Sequence, residues 1–171
     1  MRKQAIISHG LQSGPEATKA RALAQVAREL GWSTEVPDYR DLDAIGELGD
    51  IGARIARLDE LAASVDVPLV LAGSSMGAFV SARVSLRHPV LGLFLMAPPP
   101  RLKSFPLPLE AAAVPTRIIH GWHDELIPAA EVVDWAQRRG DRLVLVDDNH
   151  RLEAHVDFCA REFGRFLQAL A

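Results

Sequence analysis

A serine between two glycines follows an apolar run near the middle of the chain. The segment Gly-Ser-Ser-Met-Gly at residues 73–77 comes after Leu69–Ala72 and before a helical pattern at Ala78–Arg87. A G-x-S-x-G segment between a strand and a helix is typical of a nucleophilic serine held in a tight, strained turn. Ser74 has no glycine two residues later, so the spacing selects Ser75. We predict that the Ser75 hydroxyl attacks a carbonyl carbon.

A base and an acid suited to activate this serine follow two later apolar runs. Asp124 comes soon after Thr116–His120, and His150 comes soon after Leu143–Val146. Parallel strands end at the same edge of an open α/β sheet, and such sheets have their sites at that edge. We therefore predict that His150 takes the proton of the serine and that Asp124 orients the imidazole.

Other histidines and acids are alternatives for these two roles. His123 adjoins the predicted acid in sequence and is poorly placed to bridge from it to the serine. His155 falls inside the last predicted helix, and His120 ends a strand, where a histidine more often supports a site than reacts. Asp147 and Asp148 stay open as orienting acids, although they are close in sequence to the predicted base.

The tetrahedral intermediate of acyl transfer requires backbone N–H donors, and each donor contributes a factor of about 10²–10³ in rate. One donor is predicted at Met76, directly after the nucleophile, and the other at Leu11, in the loop after the first apolar run. A glycine-rich turn that starts a helix explains this loop nearly as well. We predict that His9 in the same loop and Phe105 contact the substrate.

The stretch around Phe105 is the one irregular part of the chain. Pro98–Pro115 is rich in proline, and only one short turn of helix, near Leu109–Ala113, fits inside it. Within this stretch, Pro98–Leu109 either forms one wall of a shallow acyl site or serves as a connector packed by its own prolines. Both interpretations stay open.

Six short apolar runs alternate with longer amphipathic patterns and must position these residues. The alternation predicts an α/β fold with a doubly wound parallel sheet. Three runs lack polar alternation, which is typical of strands buried on both faces. The predicted strands are Ala5–Ser8, Thr34–Val36, Pro68–Ala72, Leu91–Ala97, Thr116–His120 and Leu143–Val146. In addition to Ala78–Arg87, the predicted helices are Pro15–Gly31, Ile51–Val65, Pro128–Gly140 and Leu152–Leu170.

Length and composition are those of one globular domain. The chain has 171 residues, of which 49% are hydrophobic and 24% are charged, and its net charge is −3. We expect residues 1–171 to form a single domain with its own core. Acidic and basic residues are mixed along the chain, so no nucleic-acid partner is expected. Monomer and homodimer both stay open.

Several kinds of site and location are not expected from the sequence. No apolar run approaches the ~18 residues of a membrane span, and Ala5–Ile7 is too short for the core of a signal peptide. The single cysteine, Cys159, cannot form an internal disulfide. No ligand residues have metal-binding spacing on a common helix, and the loop at residues 10–14 lacks the lysine of a phosphate-binding loop. We expect a soluble cytoplasmic protein with no metal, no cofactor and no membrane partner.

Four segments together resemble the α/β-hydrolase superfamily, in particular its small lidless bacterial members described as carboxylesterase- or thioesterase-like. They are H-G after the first strand, G-x-S-x-G, H-G-x-x-D-x-x-I-P and D-x-x-H, in the family order and over nearly the whole chain. The resemblance implies a three-layer fold with six parallel strands in the order 2-1-3-4-5-6 and a site at the carboxyl edge of the sheet.

The sequence departs from the larger members of that family in two ways. It lacks an antiparallel hairpin before the first strand, which makes Thr34–Val36 an edge strand. It also has no room for a lid domain between Ala97 and Pro115, so we expect a minimal α/β-hydrolase fold without a lid.

The expected function is hydrolysis of a small or accessible carboxylic ester or thioester through an acyl-enzyme at Ser75. The partner is then a small-molecule substrate. A non-catalytic ligand-binding module on a hydrolase fold is an alternative, because a fold does not guarantee a function. A small serine peptidase is a second alternative, although the sequence defines no peptide-binding subsite. The presence of all three members of the predicted triad favours an enzyme.

Overall fold

Six parallel strands form one sheet at the centre of the molecule, for which the computed structural model describes residues 1–170. The strand order is β2-β1-β3-β4-β5-β6, and every neighbouring pair is parallel. The strands are β1 (Gln4–Ser8), β2 (Ser33–Glu35), β3 (Leu69–Ser74), β4 (Gly92–Met96), β5 (Thr116–Gly121) and β6 (Arg142–Val146). The predicted doubly wound sheet, its order 2-1-3-4-5-6 and the edge position of the second strand are confirmed.

Six helices flank the sheet. They are α1 (Thr18–Glu29), α2 (Arg40–Asp43), α3 (Ile51–Ala63), α4 (Met76–Ser85), α5 (Ala129–Arg139) and α6 (Val156–Ala169), with a 3₁₀ turn at Glu153–His155. Gly31 and Gly140 follow α1 and α5 with φ angles of 81° and 71°, a left-handed conformation that favours glycine at a helix end. Among residues 1–170, none of the helices has the length and apolarity needed to cross a lipid bilayer.

Two helices begin later than the sequence pattern suggests, and one was not predicted. α1 begins at Thr18, because Pro15 lies in the turn before it. α6 begins at Val156, because Leu152 has a φ of 55° and cannot belong to a right-handed helix. The short helix α2 is absent from the prediction, since its four residues are too few to show a periodicity.

The predicted helical turn at Leu109–Ala113 does not form, and that prediction is wrong. The backbone of Leu109 is bonded to distant partners instead. Its N–H donates to the carbonyl of Pro100 at 2.9 Å, and its carbonyl accepts the indole N–H of Trp135 at 3.0 Å. The first bond closes a loop within the proline-rich connector, residues 97–115, and the second attaches the connector to α5, so the buried backbone groups are satisfied without a helix.

Alternate residues of the buried strands pack against different helix layers. In β1, Ala5 and Ile7 pack with α1 and α6, whereas Ile6 packs with α3 and α4. The α6 layer also contains Cys159, and burial raises the pKa of this thiol to about 11. Because helices cover both faces of the sheet, the loops at the strand ends are the parts of the sheet available for a site.

Candidate active site

Ser75 lies in a strained turn between β3 and α4. Its φ and ψ are 54° and −117°, a conformation that is rare for any residue other than glycine. The Ser75 N–H donates to the carbonyl of Met96 at 2.9 Å, and the Ser75 carbonyl accepts the N–H of Phe79 at 3.1 Å. The backbone of this residue is therefore fixed on both sides, and its side chain is half-buried at the carboxyl edge of the sheet.

The two glycines of the motif allow the backbones around this turn to touch. A Cβ atom on Gly73 would lie 2.3 Å from the carbonyl oxygen of Gly77, and one on Gly77 would lie 2.1 Å from that of Ser8. No side chain fits at either position without moving a backbone. The second contact also joins the start of α4 to the end of β1, which brings the loop after β1 beside Ser75.

A continuous hydrogen-bond path joins Ser75 to a histidine and an acid. The His150 Nε2 atom lies 3.0 Å from the Ser75 Oγ atom, and the His150 Nδ1 atom lies 2.7 Å from Asp124 Oδ2. The other carboxylate oxygen of Asp124 accepts the N–H groups of Leu126 and Ile127 at 2.9 and 2.7 Å. With a carboxylate as acceptor, Nδ1 of the neutral ring holds the proton and Nε2 is free to accept one.

Asp124 is buried, and its hydrogen bonds keep it ionised. Burial opposes ionisation, but the bonds from His150 and from the Ile127 and Leu126 N–H groups outweigh it and lower the pKa of Asp124. His120 lies behind this acid and is fully buried. Its Nε2 atom donates to the carbonyl of Ile127 at 2.9 Å, and burial lowers the pKa of the ring. His120 therefore supports the acid as a neutral side chain.

Close contact between the loops after β5 and β6 brings the acid and the histidine together. A Cβ atom on Gly121 would lie 2.4 Å from the carbonyl oxygen of Asp148, so only glycine allows this approach. The N–H groups of Trp122 and His123 donate to the carbonyls of Val146 and Asp148 at 2.9 and 3.0 Å. The glycine that follows His120 thus has a role that the sequence analysis did not assign.

The alternative acids and histidines pair with each other, away from Ser75. Asp147 lies 2.9 Å from His123, and both side chains are exposed. Asp148 lies 2.9 Å from His155, which ends the 3₁₀ turn before α6. The sequence prediction placed His155 inside a helix, and the structure places it one residue before the helix begins.

His9 is buried, and both of its ring nitrogens have partners inside the protein. Its Nε2 atom accepts the Tyr39 N–H at 3.0 Å, and its Nδ1 atom donates to the Gly10 carbonyl at 2.8 Å. Burial lowers the pKa of this ring, and the positive charge of Arg54 adds to the effect. The imidazole therefore joins the loop after β1 to the loop after β2, and neither ring nitrogen is available to a substrate.

A buried arginine in α3 binds the backbone of the loop after β1. The side chain of Arg54 in α3 is 0% exposed and donates to the carbonyls of His9 and Gly10 at 2.7 and 3.1 Å. Its Nε atom also donates to Asp43 at 2.7 Å, and its guanidinium lies 4.4 Å from the centre of the Tyr39 ring. The cation is thus paired with a carboxylate, and each of its three nitrogens donates a hydrogen bond, as a buried charge requires.

The sequence analysis missed Arg54, although the sequence contains a signal for it. Ile51, Arg54, Ile55 and Leu58 follow the i, i+3, i+4, i+7 spacing of one helix face, and the other three residues are apolar. An arginine on an apolar face needs buried partners, which is a reason to look for a carboxylate and free carbonyls near it.

The fixed carbonyl of Gly10 determines the direction of the next N–H group. Residues 1–170 contain no cis peptide bond, so the Leu11 N–H points away from the carbonyl that Arg54 binds. No acceptor among residues 1–170 binds the N–H of Leu11 or of Met76. A Cβ atom on Gly10 would lie 3.7 Å from the Cβ atom of Ser75, so this loop runs directly beside the serine.

Comparison with known proteins identifies the family. The crystal structure of a proposed hydrolase of the alpha/beta superfamily from Xanthomonas campestris pv. campestris is 53% identical in sequence and gives a TM-score of 0.94. The match covers 97% of this chain and 98% of that chain. This chain belongs to the α/β-hydrolase superfamily. The relationship supports a general hydrolase function.

Two more distant structures show the same α/β-hydrolase fold. An alpha-beta serine hydrolase homologue from Coxiella burnetii is 23% identical, with a TM-score of 0.80, and the match covers 96% of this chain and 84% of that one. A serine hydrolase without a lid from Xanthomonas campestris is 22% identical, with a TM-score of 0.78, and the match covers 98% and 81%. No protein-family model and no curated protein matches the chain.

Ser75 and His150 line a cavity of about 710 Å³. Loops after β1, β3, β4, β5 and β6 line it, together with parts of α1 and α3. Several lining side chains are apolar, namely Leu11, Leu48, Ile51, Met76, Leu102, Leu126 and Ile127. Such a cavity suits a small ligand with an apolar part.

The connector after β4, in which the sequence leaves no room for a lid domain, borders the cavity. Pro99 and residues 101–104 of the connector line the cavity, so this segment forms one wall of it. Phe105 is not part of the lining, because its ring packs edge-on against Phe79 with 5.6 Å between the ring centres. The structure thus places Phe105, which was predicted to contact the substrate, against the core and outside the lining, and Leu102 is the apolar residue of this wall.

Backbone strain is concentrated at this edge of the sheet. Among residues 1–170, the residues other than glycine with a positive φ are Gln12, Ser75, Ala97 and Leu152. Each follows the carboxyl end of a strand, and such strain is typical of functional sites in folded proteins. No group of three or more potential metal ligands forms a metal site within residues 1–170.

Proposed function

We propose that this chain is a serine hydrolase that cleaves a small or accessible carboxylic ester or thioester through an acyl-Ser75 intermediate. The hydrogen-bond path from Ser75 through His150 to Asp124 is the observation on which the proposal depends. Its distances of 3.0 and 2.7 Å lie within the range required for proton transfer to a general base. The membership in the α/β-hydrolase superfamily is consistent with it.

In the first half of the reaction, the Ser75 Oγ atom attacks the carbonyl carbon while His150 Nε2 takes its proton. The negative oxygen of the tetrahedral intermediate accepts the N–H groups of Leu11 and Met76. The intermediate then breaks its bond to the leaving alcohol or thiol, which receives the proton from His150. The product of this half is an ester between Ser75 and the acyl group.

In the second half, a water molecule repeats these steps. His150 takes one proton of the water as its oxygen attacks the acyl-Ser75 carbonyl, and the proton returns to Ser75 Oγ when that bond breaks. Asp124 stays ionised throughout and stabilises the imidazolium that forms twice in each cycle. Its lowered pKa suits this role, because the carboxylate does not accept the proton.

Reaction with a fluorophosphonate tests the proposal, with intact mass as the readout. We expect one stoichiometric adduct on the wild-type protein and none on Ser75→Ala. Ser74→Ala is the matched control, because its hydroxyl adjoins the same turn but makes no hydrogen bond within residues 1–170. This control should keep the adduct.

A folded wild-type protein that forms no adduct would contradict the proposal and favour a ligand-binding module on the same fold. If the adduct forms, a panel of esters and thioesters of increasing acyl length gives the substrate class, and turnover should disappear in Ser75→Ala. An adduct that persists in Ser75→Ala and is lost in Ser74→Ala would show that Ser74, and not Ser75, is the nucleophile.

A further inference from the structure

The charged side chains that line the cavity at Ser75 are mostly cationic. Four of them are positive, namely Lys19, Arg101, Lys103 and Arg151, and one is negative, namely Glu153. The whole chain has the opposite sign, with a net charge of −3. Cations gathered in a cleft focus a positive potential there and attract anions.

Lys19 in α1 is partly buried and has no acidic partner within residues 1–170. One of its three donors binds the carbonyl oxygen of Arg151. The acids whose charges reach Lys19 are paired with other residues: Glu153 lies 3.5 Å from Arg151, and Asp148 lies 2.9 Å from His155. Burial lowers the pKa of Lys19, as expected for a cation that loses water without gaining a carboxylate.

The connector contributes two further cations. Arg101 and Lys103 are exposed and line the cavity, and neither forms a hydrogen bond or an ion pair within residues 1–170. In the part of the chain that the structure describes, exposed arginines away from the cavity include paired ones, such as Arg138 with Asp134, and unpaired ones, such as Arg142 and Arg161. What distinguishes the cavity is that its unpaired cations lie together beside the nucleophile, with one acid among them.

We propose that the ester cleaved at Ser75 bears an anionic group, a carboxylate or a phosphate, that binds to Lys19 and to the connector residues Arg101 and Lys103. This inference rests on the proposed function, since it names the substrate class of the same site. The apolar side chains of the cavity hold the uncharged part of the substrate. The anion replaces the carboxylate that Lys19 lacks.

Pairs of esters that differ by one charge test this proposal. 4-Acetoxybenzoate and its methyl ester place the charge on the leaving group, and monophenyl glutarate and phenyl pentanoate place it on the acyl group. 4-Acetoxyphenyl phosphate replaces the carboxylate by a phosphate. The ratio of kcat/KM within each pair is compared among proteins, which cancels the intrinsic reactivity of the esters.

The variants are Lys19→Met and the double variant Arg101→Gln/Lys103→Gln. The control is Arg142→Gln/Arg161→Gln, which removes two exposed cations that lie outside the cavity. In at least one pair we expect the preference for the anion to fall about five- to tenfold in each cavity variant. The control should keep the wild-type ratio. Added salt should slow turnover of the anionic ester more than that of the neutral one.

An anion-to-neutral ratio that is equal in the wild type, both cavity variants and the control would overturn this inference while the proposed function stands. If the wild type forms no fluorophosphonate adduct and cleaves no ester, the proposed function fails. Calorimetric titration with 4-acetamidobenzoate and its methyl ester then tests, without catalysis, whether the cavity binds an anion. Tighter binding of the anion that is lost in the cavity variants supports the site, and equal binding of the two overturns it.

Discussion

Two loops form opposite kinds of wall around the cavity at Ser75. The loop after β1 rests on a fully buried arginine, and its carbonyls at His9 and Gly10 are both bonded to it. The connector wall at residues 101–104 is largely exposed, and a bond of 3.2 Å from the Phe105 N–H to the Leu102 carbonyl is the backbone bond that closes it. The first wall is fixed by a charge network, whereas the second is held by this turn, by the bond from the Leu109 N–H to the Pro100 carbonyl and by apolar packing of Leu102 and Phe105.

This difference matches what each wall contributes to the proposed reaction. N–H donors for an oxyanion must be oriented before charge develops, because reorienting them during the reaction would raise the barrier. A wall that contacts the variable part of a substrate has no such requirement. The comparison predicts that changes under the β1 loop affect stability and kcat, while changes in the connector affect substrate choice.

Removal of Arg54 should give the largest effect. Arg54→Met leaves Asp43 buried without a cation and removes a donor from the carbonyls of His9 and Gly10, so we expect the free energy of unfolding to fall by about 3–5 kcal/mol. Loss of the Leu11 donor should lower kcat about 10²-fold in the protein that still folds. Urea unfolding and ester turnover measure the two effects.

Arg57→Met is the matched control on the same helix, because Arg57 pairs with Asp41 at the surface. It should cost less than about 1 kcal/mol and leave kcat unchanged. The double variant Arg54→Met/Asp43→Leu should recover stability, since it removes the unpaired acid, but not kcat. Equal effects of Arg54→Met and Arg57→Met on stability and kcat would show that the buried network of Arg54 does not fix the β1 loop.

A methyl group at Gly77 should give the next largest effect. In Gly77→Ala the new Cβ would lie 2.1 Å from the Ser8 carbonyl, so the turn and the β1 loop must separate. We expect a loss of about 1–3 kcal/mol in stability together with lower turnover. Gly52→Ala is the control, because its Cβ meets nothing closer than 3.6 Å and alanine favours a helix by roughly 0.5–1 kcal/mol. Thermal melts of the two variants should therefore shift in opposite directions.

Much of this arrangement could be predicted from the sequence, and the failures have a common cause. The glycine spacing around Ser75 and the positions of Asp124 and His150 after apolar runs are local patterns, and the structure brings these three residues together. Arg54 pairs with Asp43 and with a loop more than forty residues earlier, which no local pattern reports. The packing of Phe105 against Phe79 could not be predicted for the same reason, because it depends on the path of the connector.

Shortening Leu102 in the connector should change substrate preference with little effect on stability. Leu102→Ala enlarges the apolar wall of the cavity, so kcat/KM should fall by roughly tenfold for the best acyl chain and less for shorter ones. Stability should change by less than about 1.5 kcal/mol. Leu107→Ala, in the same connector but outside the cavity, is the control. Equal kcat/KM losses across all chain lengths would argue against a role in acyl binding.

The smallest effect should be that of pH on stability, and it should arise from buried histidines rather than from the connector. Burial lowers the pKa values of His9 and His120 below the ordinary value of 6.5. As the pH falls below that value, the unfolded chain binds protons that the folded chain does not, so stability decreases; above it, the full stability is present. Thermal melts at several pH values between 8 and 5 measure this slope.

His120→Gln should flatten the dependence, because the amide keeps a donor for the Ile127 carbonyl but does not titrate. The connector contains no histidine and should not contribute. A slope that is unchanged in His120→Gln would assign the acid sensitivity to His9 or to other groups.

The low reactivity of the Cys159 thiol allows the connector wall to be labelled selectively with a fluorescent dye. It is the single cysteine of the chain, it is buried on the core-facing side of α6, and its pKa of about 11 leaves it largely protonated and unreactive near neutral pH. A cysteine introduced at the exposed Ser104 would therefore react selectively with a maleimide dye, with no need to replace the native residue. A dye at that position reports the motion of the connector wall as ligands enter the cavity, in the otherwise wild-type protein.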